Sequence, residues 1–168
     1  NYARRYFDKA ESQIAGFRYF NVYGPQENHK GKMASMVRQM FLQWQKDHEV
    51  KLFGEYDGYG PGEQTRDFIY VKDVVYFWQH PELKGVYNLG TGKAHTFNDM
   101  AKAVLDFFGS GKLVYVPFPE VLKGKYQSYT QADTTKLLQT GYDGGFTDFA
   151  EAVKEYCGVL QASDGYYR

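Results

Sequence analysis

The segment Glu27–Lys32, with the sequence ENHKGK, concentrates side chains that could bind an anion or move a proton. His29, Lys30 and Lys32 stand just before a predicted helix, whose N-terminus would also attract an anion such as a diphosphate. Lys30 is in addition a candidate for acid/base catalysis. The alternative is that Lys30 is an ordinary solvated lysine of a loop.

A second candidate is the turn Asn21–Pro25, with the sequence NVYGP, which follows the apolar run Ile14–Phe20. It puts an amide and a phenol at the carboxyl end of a predicted strand, where open α/β sheets bind their ligands. Asn21 is therefore a candidate for contacting a polar ligand. The alternative is that Asn and Gly-Pro serve only as turn residues.

Arg66 lies between the glycine-rich loop Glu55–Gln64 and an apolar strand. Its guanidinium is suited to bidentate contact with a phosphate, and the alternative is a salt bridge with Asp67 or Asp73. The segment Lys123–Gln127, with the sequence KGKYQ, could stack on a base or cover a diphosphate, or it is a solvated loop.

Gly90–Gly92 resembles a phosphate loop only in part, because His95 occupies the position of the third glycine. We interpret it as a tight turn between a strand and a helix.

Strands and helices alternate along the chain, which predicts an α/β fold. Thr96 and Asp99 form a predicted capping box at a helix start. A helix over Tyr2–Ser12 is predicted to begin upstream of Asn1, and the alternative is a frayed N-terminal tail. The tail after Gln161 is predicted to be disordered. The predicted strands are Ile14–Phe20, Lys51–Gly54, Arg66–Tyr70, Gly85–Leu89 and Leu113–Val116, and the other predicted helices are Met33–Asp47, one from Val71, Phe97–Phe108, Thr134–Gln139 and Phe146–Leu160.

Composition excludes several classes of function. The 168 residues carry 20 Lys and Arg against 20 Asp and Glu, and this balance argues against nucleic acid as a partner. No stretch approaches the roughly 18 apolar residues of a membrane span, and the first residues lack the apolar core of a signal peptide. The four histidines and Cys157 have no metal-ligand spacing, so we predict no metal. A single cysteine fits a reducing cytoplasm.

Three motifs together resemble the extended short-chain dehydrogenase/reductase family, whose members act on nucleotide sugars. They are Phe17–Pro25 (FRYFNVYGP), Arg66–Val74 (RDFIYVKDV) and Tyr87–Gly92 (YNLGTG), and they occur in the family's order. The similarity runs from about Phe7 to Leu160. Within the family, GFRYFNVYGPQENHKGKMASM and KGKYQSYTQAD resemble the branch that acts on an ADP-linked heptose.

The resemblance implies the C-terminal part of a Rossmann-type doubly wound sheet with a small α/β substrate-binding lobe. Residues 1–32 and 66–112 would belong to the end of the cofactor-binding sheet, 33–65 and 113–160 mainly to the substrate lobe, and 161–168 to a tail. The family's glycine-rich cofactor loop and its Tyr-x-x-x-Lys pair are absent from this sequence. The chain is therefore interpreted as a C-terminal half, inactive alone, whose partner is the missing N-terminal half.

The resemblance also implies an activity: NADP-dependent epimerisation at C6 of the heptose, by transient oxidation and re-reduction. Lys30 matches a catalytic lysine that also contacts the cofactor, and Val22 matches a second cofactor contact. A homo-oligomer is implied too. The implied substrate contacts are Asn21, Lys32, Gln39, Phe53, Gly54, Glu55, Tyr56, Arg66 and Tyr126.

At Lys32 and Gln39 the family's residues differ, which weakens these two assignments. Two other readings stay open. The substrate could be another nucleotide sugar, or the chain could be a non-catalytic nucleotide-sugar binding fragment.

Overall fold

The computed structural model describes residues 5–7, 9–11, 14–80, 83–142 and 145–167. Strands and helices alternate in it, which confirms the predicted α/β class. The strands are β1 (Ala15–Tyr19), β2 (Asn21–Tyr23), β3 (Glu49–Phe53), β4 (Thr65–Tyr70), β5 (Gly85–Leu89), β6 (Ala94–Thr96) and β7 (Lys112–Val116), and the α-helices are α1 (Met36–Asp47), α2 (Val71–Trp78), α3 (Phe97–Phe108), α4 (Thr135–Leu138) and α5 (Phe149–Ser163).

Most strand pairs are parallel, as expected for strands connected through helices. β1 pairs with β5, β2 with β4, and β3 with β7, all in parallel, whereas β6 pairs with β4 in the antiparallel sense. One residue, Phe20, separates β1 from β2. The chain therefore changes its pairing partner from β5 to β4 across one residue. The predicted turn at Asn21–Pro25 begins as a strand.

β4 separates two hydrophobic cores. Side chains alternate between the two faces of a strand, so Phe68 and Tyr70 enter one core and Ile69 enters the other. Helices α1, α3 and α5 pack around the first core, and α2, α4 and β5 around the second. β4 is buried on both faces, and its second half, Phe68–Tyr70, is accordingly apolar without alternation, whereas its first half carries the buried charges of Arg66 and Asp67.

Asp67 is the charged residue at the centre of this strand, and its side chain is 0% exposed. Its carboxylate accepts hydrogen bonds from the backbone N–H groups of Thr91 (2.8 Å), Gly92 (2.8 Å) and Ala132 (3.0 Å), and from the Thr91 hydroxyl (2.8 Å). A Cβ added at Gly90 would lie 2.8 Å from a carboxylate oxygen of Asp67. The close approach of Asp67 therefore requires glycine at the first position of the Gly-Thr-Gly turn.

We predicted that this turn leads directly into a helix, and that prediction is wrong. Strand β6 follows it and pairs with the first half of β4 before α3 begins. The predicted capping box of α3 is confirmed: the Thr96 hydroxyl accepts from the Asp99 N–H and the Asp99 carboxylate from the Thr96 N–H, both at 2.9 Å.

Helix α1 begins at Met36, three residues later than predicted. A 3-10 segment, Asn28–Met33, precedes it, and Gly31 within that segment has φ 53° and ψ −120°, which breaks helical geometry. The predicted disordered tail is wrong for residues 161–167. Helix α5 continues to Ser163, and the Tyr167 hydroxyl reaches Glu155 at 3.2 Å and Tyr70 at 3.4 Å.

The predicted opening helix over Tyr2–Ser12 lies partly outside the described residues. Those that are described there, 5–7 and 9–11, form turns and a bend instead of an α-helix. Within the described chain, no helix is long and apolar enough to cross a membrane.

Replacing Asp67 by Asn tests its role in the fold. The amide would turn an NH2 group toward backbone donors that need an acceptor, so we expect Asp67→Asn to lower the free energy of unfolding by about 3 kcal/mol. Asp106→Asn on the exposed surface of α3 is the matched control, with a change of about 0.5 kcal/mol or less. Urea unfolding measures both, and equal effects of the two substitutions would contradict the assignment.

Candidate active site

Two adjoining pockets open on the face of β4 that carries Arg66 and Phe68. We call them the Arg66 pocket, of about 270 Å³, and the Lys30 pocket, of about 220 Å³. Met36 and Phe97 line both, so the pockets form one cleft. The Arg66 pocket is lined by Met36, Lys51, Leu52, Phe53, Gln64, Arg66, Phe97 and Tyr126. The Lys30 pocket is lined by Asn21, Val22, Tyr23, Glu27, Lys30, Met33, Ala34, Ser35, Met36, Phe68, Phe97 and Met100.

Arg66 is a buried cation with no carboxylate partner among the described residues. It is 8% exposed, and it donates one hydrogen bond, to the backbone oxygen of Thr65 at 2.8 Å. Its guanidinium carbon lies 4.9 Å from the ring centre of Tyr126 and 5.7 Å from that of Phe97. The alternative of a salt bridge with Asp67 or Asp73 is wrong in this structure, because Asp67 points to the opposite face of β4.

Burial lowers the pKa of Arg66, while the phenol of Tyr126 acts in the opposite direction. A desolvated guanidinium beside a cavity is stabilised by an anion that enters the cavity. Burial likewise raises the pKa of Tyr126, and the charge of Arg66 opposes that effect. The Tyr126 phenol is therefore neutral at physiological pH and is available as a hydrogen-bond donor.

An aromatic wall borders the Arg66 pocket: Phe53 and Tyr126 line the pocket, and Tyr56 and Phe118 pack behind them. Tyr56 stacks on Phe118 with ring centres 4.0 Å apart and planes at 11°, and Phe118 meets Tyr126 edge-on at 5.3 Å. Phe53 contacts Phe118 edge-on at 5.3 Å. The Tyr56 hydroxyl also accepts a hydrogen bond from the Gly124 N–H at 2.6 Å, which fixes the loop that carries Tyr126. This wall offers flat apolar surfaces next to a cation, the combination that a heterocyclic base on a phosphate chain requires.

The Lys30 pocket has a polar rim and an apolar interior. The Lys30 side chain is 45% exposed, and its ammonium lies 3.9 Å from the Glu27 carboxylate. Asn21 donates a hydrogen bond to the backbone oxygen of Asp67 at 3.4 Å and lines the pocket. Phe68 supplies apolar surface inside, and Val22 also lines the pocket, although its side chain packs against the second core.

The structure therefore brings Asn21, Val22 and Lys30 together in one pocket, and Phe53, Arg66 and Tyr126 in the adjoining one. Tyr56 lines neither pocket; it packs against Phe118 and Tyr126, and its role as a substrate contact stays a prediction.

Four other predicted contacts lie outside the cleft, and their roles stay predictions. Glu55 is exposed in the neighbouring loop. Gly54 bonds Val116 and Gln64 through its backbone. Gln39 donates to the Gly31 backbone oxygen at 3.1 Å, and Lys32 is exposed.

Sequence reasoning missed three residues that shape this cleft. Glu27 is 3% exposed and Gln64 is 1% exposed, and both lie in loops where polar residues are normally solvated. Gln64 donates to the Gly54 backbone oxygen at 3.1 Å and so closes the nine-residue loop between them. Phe97 belongs to the apolar stripe of α3, which predicts core packing and gives no sign of a pocket. Only the cationic cluster around Lys30 could have drawn attention to Glu27, three residues before it.

A family model and several solved structures match this chain, and they point to one family. The sequence model of the NAD dependent epimerase/dehydratase family matches residues 1–90. The crystal structure of ADP-L-glycero-D-manno-heptose-6-epimerase from Helicobacter pylori is 32% identical with a TM-score of 0.71, covering 95% of this chain and 48% of that one.

UDP-glucose 4-epimerase from Thermotoga maritima, solved with UDP-glucose, is 27% identical with a TM-score of 0.75, covering 95% and 50%. The enzyme of that name from Thermus thermophilus, solved with NAD, is 23% identical with a TM-score of 0.73, covering 96% and 51%, and shows likeness of fold. This chain thus spans about half the length of these structures.

The geometry of the Arg66 pocket predicts that Arg66→Lys weakens binding of an anion in this pocket, for which inorganic pyrophosphate is the probe. A lysine keeps the charge but loses the planar pair of donors and the contact with the Tyr126 ring, so we expect Kd to rise about tenfold, or about 1.4 kcal/mol. Arg18→Lys, at an exposed residue of β1 that lines neither pocket, should leave Kd unchanged. Isothermal titration calorimetry measures both, and equal affinities for Arg66→Lys and the unsubstituted protein would contradict the prediction.

Proposed function

Since this chain belongs to the NAD dependent epimerase/dehydratase family, we propose that it is the C-terminal half of a nucleotide-sugar epimerase that converts ADP-D-glycero-D-manno-heptose into ADP-L-glycero-D-manno-heptose. The likeness to the Helicobacter pylori heptose epimerase over 95% of this chain supports that substrate over others. The product would serve as a precursor of the lipopolysaccharide core, and the enzyme would act in the cytoplasm.

The single observation that carries the proposal is the buried guanidinium of Arg66, which no described carboxylate pairs, beside the aromatic wall. A diphosphate would neutralise Arg66, and its adenine would lie against Phe53, Tyr56 or Tyr126. The sugar on the other end of the diphosphate would then enter the Lys30 pocket, because the two pockets share Met36 and Phe97. A nucleotide sugar has this sequence of flat ring, anion and polyol.

The residues of the Lys30 pocket also fit part of a nicotinamide cofactor. Phe68 offers apolar surface to a flat neutral ring, Val22 lines the same pocket, and Lys30 and Asn21 offer polar groups at its edge. We therefore propose Val22 and Lys30 as cofactor contacts, and NADP as the cofactor. When bound, the cofactor accepts a hydride from the sugar and returns it.

Within this chain, Lys30 is the proposed group that moves a proton. Its half-exposed ammonium lies in the pocket that would hold the sugar, with a carboxylate 3.9 Å away. Inversion at a sugar carbon needs acid/base help on both faces, so Lys30 would serve one face and a residue of the N-terminal half the other. Asn21 would orient a sugar hydroxyl with its amide.

The N-terminal half would complete the protein. Each of the compared structures is about twice as long as the portion that matches this chain. Strand β1 pairs with β5 along one edge, and the missing half would supply a strand for the other edge. We further propose that the complete protein is a homo-oligomer and that this chain is inactive alone.

Two alternatives have support of their own. The UDP-glucose 4-epimerase of Thermotoga maritima matches this fold with a TM-score of 0.75, which favours a UDP-sugar as the second candidate substrate. The lack of a Tyr-x-x-x-Lys pair in this sequence is the feature behind the other alternative, a fragment that binds nucleotide sugars without reaction.

A substrate comparison with the full-length protein tests the proposal. We expect interconversion of the two ADP-heptoses in the presence of NADP, with kcat/KM at least about 100-fold above that for UDP-glucose, UDP-N-acetylglucosamine or a dTDP-hexose. NMR of the sugar protons follows each conversion. Preferential turnover of a UDP- or dTDP-sugar would overturn the choice of substrate, and binding without any turnover would favour the non-catalytic alternative.

A further inference from the structure

The end of helix α5 holds the segment that leads into Lys30. Three consecutive residues of that segment, Gln26, Glu27 and Asn28, each bond to α5 or to the turn that ends it. The Gln26 N–H donates to the Gly165 backbone oxygen at 2.9 Å, and the Asn28 amide donates to that of Asp164. The Tyr156 hydroxyl donates to the Glu27 carboxylate at 2.7 Å.

Glu27 connects α5 to residues that line the Lys30 pocket. Its carboxylate accepts from the backbone N–H of Ser35 at 2.8 Å and from the Ser35 hydroxyl, and it lies 3.9 Å from the Lys30 ammonium. Tyr156, its partner on α5, is 0% exposed. Burial and then the hydrogen bond to Glu27 raise the pKa of Tyr156. The phenol therefore stays protonated and donates a hydrogen bond to the carboxylate.

The turn after α5 has a geometry that only its present residues satisfy easily. Asp164 and Gly165 both have left-handed φ values, 52° and 81°. A Cβ at Gly165 would lie 2.9 Å from Leu160 and 3.0 Å from the Asn28 side-chain oxygen. The turn therefore lies so close to the Lys30 segment that a methyl group added at Gly165 would push the two apart.

We propose that Tyr156 and the Asp164–Gly165 turn are positioning residues that set the place of Lys30 in the cleft. This rests on the proposed function of Lys30. The segment from Gln26 to Met33 pairs with none of the described strands, and Gly31 interrupts its 3-10 helix, so contacts with neighbouring helices must limit its freedom to shift. On α1, Arg38 and Gln39 bond Asn28 and Gly31. The anchors on α5 limit that freedom further, and a displacement of about 1 Å in a reacting group is enough to slow a reaction by orders of magnitude.

The test uses the full-length protein with Tyr156→Phe and Gly165→Ala. Tyr156→Phe keeps the buried ring and removes the hydroxyl that bonds Glu27, whereas Gly165→Ala pushes the turn away from Asn28. Gly158→Ala is the matched control, because this glycine lies within α5 and a Cβ there meets nothing within 4 Å. Thermal melting establishes that each variant is folded.

Hydrogen exchange provides a readout that needs no substrate. We expect amide exchange in residues 26–35 to rise about tenfold in both variants, with no change in α3 and none in Gly158→Ala. Kinetics provide the second readout: kcat should fall about tenfold while KM for the nucleotide sugar stays within about twofold. Unchanged exchange in residues 26–35, or a kcat equal to that of Gly158→Ala, would overturn the proposal.

Lys30→Met separates this proposal from the proposed function. If Tyr156 acts through Lys30, adding Tyr156→Phe to Lys30→Met lowers kcat no further, whereas independent effects would multiply and overturn the proposal. If Lys30→Met keeps full activity, Lys30 is not the acid or base and the positioning claim falls with it. In that case a rise of exchange in residues 26–35 would still identify α5 as the anchor of the segment.

Discussion

The carboxylate of Asp67 is the interaction on which the rest of the structure depends. It is fully buried at the centre of β4 and collects four hydrogen bonds from two segments, Thr91–Gly92 and Ala132, that are distant in sequence. Burial of a carboxylate is costly unless hydrogen bonds satisfy it in this way. Asp67 therefore fixes how the loop after β5 and the segment before α4 lie against β4.

The register of β4 then decides where the chemistry is. Since Asp67 faces one side of the strand, its neighbours Arg66 and Phe68 must face the other, and that side carries the cleft. Arg66 is thereby buried without an acid to pair with in the described part of the chain, beside rings contributed by the loops around residues 56 and 126. The same strand thus joins a satisfied charge on its structural face to an unsatisfied one on its binding face.

Much of this fold could be predicted from the sequence where local signals were strong. The capping box at Thr96 and Asp99, the apolar stripe of α3 and the buried run of β4 all depend on residues close in sequence. β2 and β6 were not predicted, because three-residue strands carry no periodicity and exist only through pairing with β4. The prediction that the tail after Gln161 is disordered was wrong, because the order of this tail comes from contacts with Tyr70 and Asn28, which no local pattern encodes.

The candidate site divides in the same way. Arg66 and Lys30 could be singled out from residue type and context, and the family resemblance implied Tyr126 and Asn21. That Arg66 lacks a carboxylate partner among the described residues, and that Glu27 is buried and bonded to Tyr156, 129 positions away, follow only from the tertiary structure. Sequence thus identified the charged groups and left their partners open.

The most direct test of the central claim is a crystal structure of the full-length protein with bound ADP-heptose. We expect the diphosphate within hydrogen-bonding distance of the Arg66 guanidinium, the adenine against the wall formed by Phe53, Tyr56 and Tyr126, and the heptose beside Lys30 and Asn21. A nucleotide bound elsewhere, with Arg66 paired to a carboxylate of the N-terminal half, would contradict that claim.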